Sequence, residues 1–138
     1  MPPLSRPARQ HGVSLVEIMI AAAILGIVAA LVIPSFQESS ARGKRSDGQI
    51  ALVKASQLLK TFYTENNTFT TNLASAGLNA ATPEGFYLLS VVAPTGACPI
   101  TRCFLLQATP QGEHAGDRCG LLTYTSTGAS GAADANCW

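Results

Sequence analysis

A run of 21 residues from Val13 to Ile33 carries a single charged side chain, Glu17, and is otherwise dominated by Ile, Val, Leu and Ala. As a helix rising about 1.5 Å per residue it would reach about 31 Å, which matches the roughly 30 Å hydrocarbon core of a bilayer. The segment can therefore span a membrane. A secretory h-region is shorter, about 7–15 residues, and ends at a small-residue cleavage site, whereas this run leads into a helical pattern. A carboxylate in a spanning segment costs about 2.5–3.5 kcal/mol at the bilayer centre and less near an end, so Glu17 demands a compensating partner.

Ahead of the run, residues 1–12 form a polar leader with Arg6, Arg9 and His11 that reads as a cytoplasmic tail. Gly12 followed by Val-Ser-Leu-Val-Glu and an Ile/Ala/Leu-rich helix resembles the class III signal of type IV prepilins and pseudopilins, whose usual form is Gly-Phe-Thr-Leu-Ile-Glu. Val13 stands where Phe is common, and Ser14 where Thr is. The resemblance implies cleavage between Gly12 and Val13 by a prepilin peptidase, N-methylation of Val13 by an N-methyltransferase, and a role for Glu17 in assembly.

The cysteines bear on orientation. Arg42, Lys44 and Arg45 follow the apolar run closely and rival the charges of the leader, so the positive-inside rule is indecisive. Cys98, Cys103, Cys119 and Cys137 all lie in the last third of the chain, which favours an oxidising compartment for that region, such as a periplasm. Four cysteines allow three pairings. Cys119 with Cys137 would staple a Gly/Ala/Ser-rich tail, and Cys98 with Cys103 would tighten a hairpin connection; crossed pairings stay open. A zinc site built from these cysteines and His114 matches no common ligand spacing.

Pro34 ends the apolar run, where it removes a backbone donor and predicts a kink. Gly26, Gly43 and Gly48 also weaken a helix, each by up to about 1 kcal/mol against Ala. Pilins resembling this chain loosen near the region of Gly26 to Pro34 inside the filament. From Ser35 to Asn66 the pattern is amphipathic, with Ala51, Leu52, Ala55, Leu58, Leu59, Phe62 and Tyr63 on one stripe. Ile50 and Val53 lie off it and are candidate contacts with a neighbouring helix.

Residues 67–85 read as a long loop pinned by Phe69, Leu73 and Leu78. Three strands are expected at 86–93, 103–109 and 120–127, arranged as an antiparallel meander that covers the helix stripe. The predicted fold is α+β and pilin-like: a long amino-terminal helix, half of it transmembrane, packed on a small antiparallel sheet. The expected organisation is a leader (1–12), a transmembrane or filament-core helix (13–34), an amphipathic half-helix (35–66) and a head (67–138). Cys119-Gly ahead of the last main strand and the terminal Cys137-Trp138 resemble minor pilins of the PilE kind. The Cys98, Cys103 pair is an addition to the pattern of most such proteins.

No catalytic, cofactor or metal constellation is evident, and the Gly residues form neither a Walker A loop nor a dinucleotide fingerprint. Formal net charge is +1, and removal of Arg6 and Arg9 takes the chain to about −1, so charge makes no case for nucleic acid. The resemblance implies a minor pilin that contributes to pilus assembly and hence to twitching motility and adhesion. It would sit first in the bacterial inner membrane as a single-pass protein with a periplasmic head, then in an extracellular pilus. Its implied partners are other pilins, the peptidase and methyltransferase, the inner-membrane assembly platform, and lipid before assembly. The alternatives are a type II secretion pseudopilin and a DNA-uptake pilin; the latter would need a basic head, and beyond the helix only Arg102 and Arg118 are available.

Overall fold

The computed structural model describes residues 12–96 and 98–138. Two compact units divide the chain, one ending at Glu38 and the other spanning Ser39–Trp138. Helix α1 runs Leu15–Asn66. In the first unit it is built from the Ile/Val/Leu/Ala run, and every described residue from 12 to 33 is exposed. By length and composition this part of α1 can cross a membrane. The backbone at Pro34 is helical.

In the second unit, the α1 stripe is the spine of the core. Ala51, Leu52, Ala55 and Leu59 are buried, while Leu58, Phe62 and Tyr63 are half-buried beside them. Ile50 and Val53 face away and are exposed. The helix stops at Asn66 because Asn67 takes a left-handed conformation, φ +56°, which Asn tolerates better than most residues. The Asn67 amide then donates to the Tyr63 carbonyl at 2.8 Å, and the Asn66 side chain donates to Phe62 O at 2.9 Å, so carbonyls left over at the helix end are satisfied.

The sheet is an antiparallel meander in the order β1 (Tyr87–Val92), β2 (Leu105–Pro110), β3 (Leu122–Thr125), β4 (Ser130–Gly131). Alternation sends Tyr87, Leu89 and Val91 of β1 and Leu106 and Ala108 of β2 inward. The register pairs Leu89 with Ala108, Val91 with Leu106, and Ala108 with Leu122, so buried residues face each other across the strands. Phe104, Cys119 and Cys137 complete the core together with the helix stripe. Phe69, Leu73 and Leu78 of the long loop pack against it. Phe69 lies between Tyr63 and Phe104, with ring centroids 4.6 and 4.8 Å away.

Three features depart from the sequence reading. The sheet has a fourth strand, β4, inside the Gly/Ala/Ser-rich tail. Its position depends on small size: a Cβ on Gly131 would stand 2.7 Å from Thr123 Oγ1, its partner across the ladder. The loop before β1 is not free of pairing. Residues 80–82 lie along the outer edge of β1, where Leu89 N donates to Ala80 O and Thr82 N to Tyr87 O, and so cover an edge that would otherwise be open. Gly48, read as a weak point of the helix, is instead where Tyr87 packs: a Cβ there would lie 2.9 Å from the Tyr87 ring.

Candidate functional site

At the amino-terminal end, Gly12, Val13 and Ser14 are non-helical and exposed, and α1 begins only at Leu15. No heavy atom lies within 4 Å of where a Cβ on Gly12 would stand. Glu17 sits in the first turn of α1, where a carboxylate is favoured by the helix dipole, and is exposed. Among the described residues it has no ion-pair partner.

The cysteines are paired. Cys119 bonds Cys137, with Cα atoms 5.7 Å apart, and Cys98 bonds Cys103, with Cα atoms 5.8 Å apart. The first bridge joins the turn before β3 to the carboxyl-terminal residues. There Trp138 Nε1 donates to Gly131 O at 2.9 Å, and its ring lies 5.9 Å from that of Tyr124. Gln49 of α1 donates through Nε2 to the Cys137 carbonyl at 2.7 Å.

A buried polar cluster between α1 and residues 111–120 escaped the sequence reading. Arg45 donates from Nε to Asp117 Oδ2 at 2.8 Å and from Nη2 to Oδ1 at 2.5 Å, with both side chains buried. Asp117 Oδ2 also accepts from the Cys119 amide at 3.2 Å. His114 Nε2 lies 3.0 Å from the Tyr87 hydroxyl and 3.7 Å from Asp117 Oδ2. Lys44 pairs with Glu113 at 3.3 Å on the exposed rim and sits over the Phe86 ring.

Hydrogen bonds from Arg45 hold the Asp117 carboxyl below the usual carboxylate range, against the opposing effect of burial, with further help from the Arg45 charge, the Cys119 amide and His114. Burial lowers the His114 imidazole; the Asp117 charge opposes this, while Lys44 and Arg45 add to it. Burial first, then Asp117, pushes the Tyr87 phenol up to about 12. A signal for this cluster existed. Gly48 and Arg45 continue the stripe of Leu52 by four and seven residues, so a cation on the core face required a buried anion. The partner lay far off in sequence, and spacing along α1 could not name it.

Among the described residues no group of His, Cys, Asp and Glu could hold a metal ion. A cavity of about 740 Å³ lies between α1 and residues 77–86; its lining includes Lys44, Asp47, Ile50, Lys54, Leu78 and Phe86.

Comparison with known proteins places these features. A family described as "Type IV minor pilin ComP, DNA uptake sequence receptor" matches residues 34–123, and the prokaryotic N-terminal methylation motif matches residues 7–33. A fimbrial protein of Neisseria meningitidis is 31% identical over 93 residues, covering 67% of this chain and 55% of that protein. The fimbrial protein EcpC of Eikenella corrodens is 35% identical over 83 residues, covering 60% and 54%. The chain thus spans about half the length of these curated relatives. A type IV pilin from Shewanella oneidensis shares the fold with a TM-score of 0.53 at 24% identity, covering 71% of this chain and 97% of that one. The minor pilin PilV of Neisseria meningitidis does so with a TM-score of 0.53 at 21% identity, covering 71% and 91%. With an N-terminal methylation motif ahead of a helix-and-meander fold, and a family match across most of its length, the chain belongs to the type IV pilin family.

Proposed function

We propose that this chain is a minor subunit of a type IV pilus, cleaved between Gly12 and Val13, N-methylated at Val13, and assembled through Glu17. One observation carries the reading: the methylation motif at 7–33 precedes an apolar helical segment whose described residues from 12 to 33 are all exposed. That surface needs lipid before assembly and neighbouring helices afterwards. In either apolar medium the Glu17 carboxylate is costly alone, and the freed ammonium of Val13 on an adjacent subunit supplies the opposite charge. A charge pair at one depth in an otherwise slippery bundle also sets register, as single polar positions do in coiled coils. Pro34 and Gly26 would let this segment bend or loosen during that passage. Ile50 and Val53, exposed beside the head, are surfaces for a neighbouring helix.

In this reading the subunit waits as a single-pass inner-membrane protein with a periplasmic head. It meets the prepilin peptidase and methyltransferase there, and then the assembly platform. Its contribution to twitching motility and adhesion comes through the filament. Mass spectrometry of the native protein tests the first step: a mature chain beginning with methylated Val13 is expected, and any other start would overturn the assignment.

A second reading, a DNA-uptake pilin, is favoured by the description of the family that matches residues 34–123. Against it, two cations on the head-facing part of α1 are engaged within the fold, Arg45 with Asp117 and Lys44 with Glu113. Duplex binding whose affinity falls steeply with salt would support the DNA reading. Binding that is absent at low salt would leave the assembly role alone.

A further inference from the structure

Residues 111–120 are attached to the rest of the head by Cys119 in the core, by the His114 ring against Phe86 and Tyr87, and by a set of polar contacts. Their contacts outside the segment include the Gln111 amide to Phe86 O at 2.8 Å, His114 to the Tyr87 hydroxyl, Asp117 to Arg45, Glu113 to Lys44, and the Cys119–Cys137 bridge. His114 is the one group among these whose ordinary titration falls near neutrality.

We propose that His114 is a proton-operated lock: when neutral it holds residues 111–120 on α1 and β1, and when protonated it releases them reversibly while the Cys119–Cys137 bridge keeps them tethered.

The argument rests on what faces the imidazole from each side. From β1 comes Tyr87, whose hydroxyl keeps its proton well past neutrality and so can donate to an unprotonated Nε2. From α1 come two cations, Lys44 and Arg45, which both disfavour a charged His114; Asp47 of the same helix is near enough to act on the Tyr87 phenol. From its own segment comes one buried carboxylate, Asp117, already engaged by two donors of Arg45 and the Cys119 amide. Glu113 lies on the exposed rim, paired with Lys44.

Where the neutral ring carries its proton on Nδ1, a proton on Nε2 removes the acceptor that Tyr87 uses, and the hydroxyl must rotate to become an acceptor itself. The imidazolium is then a second buried cation beside Arg45. Among the described residues the buried anion facing it is Asp117, 3.7 Å away, within ion-pair range but beyond hydrogen-bond reach, and already shared with Arg45. Lifting the segment into water relieves the cation. The Cys119–Cys137 bridge anchors the segment near its carboxyl-terminal end and limits how far it travels.

The chain contains two histidines, His11 in the leader and His114. After cleavage at Gly12 only His114 would remain, so its ring resonances are an unambiguous probe. The experiment is NMR on the processed chain, Val13 to Trp138, in neutral detergent micelles, titrated from about pH 8 to about pH 5, above the ordinary carboxylate midpoints. Amide exchange at Gln111, which donates to Phe86 O, and at Ala133, which donates to Cys119 O, is compared at each pH with the variant His114→Gln, in which the intrinsic pH effect on exchange is the same. The proposal expects His114 to titrate below 6.5, with wild-type exchange at both amides accelerating relative to His114→Gln as it does so. Lys44→Ala removes a facing cation without touching the imidazole, and should raise the His114 midpoint and move the opening to higher pH with it. Titration at or above 6.5 with both amides still protected would mean that Asp117 welcomes the charge and acid tightens the segment, which overturns the proposal. Equal pH dependence in wild type and His114→Gln, or an opening unmoved by Lys44→Ala, would overturn it as well.

Discussion

Arg45 and Asp117, 72 residues apart in sequence, meet in the head through a two-pronged contact in which Nε and Nη2 of one each hold an oxygen of the other. This contact ties α1 to the turn that introduces β3, and the same carboxylate caps the Cys119 amide. Removing one partner leaves the other charge buried without compensation, which costs about 3–5 kcal/mol. Arg45→Met and Asp117→Asn should each lower the denaturant midpoint of the head transition by a corresponding amount, while the double variant loses less than the sum. Additive losses would show that the two residues are not coupled.

Two glycines of α1, five residues apart, should respond to alanine in opposite ways. Gly43 has nothing within 4 Å of where a methyl would stand, so Gly43→Ala gains helix propensity of up to about 1 kcal/mol. Gly48 is buried under the Tyr87 ring, and a methyl at 2.9 Å forces ring or helix to shift, a cost of about 1–3 kcal/mol that exceeds the propensity gain. Thermal unfolding of the two variants, side by side, should show a rise for the first and a fall for the second.

The two bridges should differ in weight. Closing 18 residues restrains the unfolded chain by about 3 kcal/mol on the chain-entropy account, and closing 5 by about 2 kcal/mol. Replacing Cys119 and Cys137 together by Ser should also expose Trp138, which loses its tether beside Gly131 and Tyr124, seen as a red shift in tryptophan emission. Replacing Cys98 and Cys103 should leave that emission unchanged. Peptide mapping under non-reducing conditions should recover a Cys119–Cys137 peptide.

Stability should fall toward acid. His114 has a folded value below its ordinary 6.5, so the unfolded chain binds more protons in the interval; the contribution is complete above 6.5 and is lost as pH falls below it. Asp117 is likewise lowered from 3.8, and its contribution is present above that value and lost as pH drops through the folded one. Tyr87, raised from 10.0 to about 12, acts at the other end, where stability declines as pH rises through that span. Urea midpoints measured across pH should trace a plateau between these limbs.

Much of this fold was legible because it rests on periodicity. The stripe from Ala51 to Tyr63, the end of α1 at Asn66 and three of the strands follow from apolar spacing and turn residues. Other features depend on contacts distant in sequence. Arg45 lies on the core face of α1, yet nothing near it in the chain identifies Asp117 as the group that lets it be buried. Gly48 looks like a defect until Tyr87 is placed against it. β4 has almost no apolar content, because its order comes from backbone pairing with Thr123 and Tyr124, from Trp138 and from the nearby bridge. At the amino terminus the reverse holds. Glu17 was conspicuous from sequence, and the chain itself offers it no partner among the described residues, because the proposed partner is another subunit.

That last point can be measured directly. Glu17→Ala removes a cost of burial while the subunit waits in the bilayer, so its abundance in the membrane should match wild type. On the proposed pairing, the ammonium of a neighbouring subunit then loses its partner in the filament. Quantifying the subunit in membrane and sheared-pilus fractions, with the processed amino terminus checked in both, separates insertion from assembly. The account predicts unchanged membrane levels and loss of the subunit from the pili. Wild-type incorporation of a correctly processed Glu17→Ala chain would contradict it.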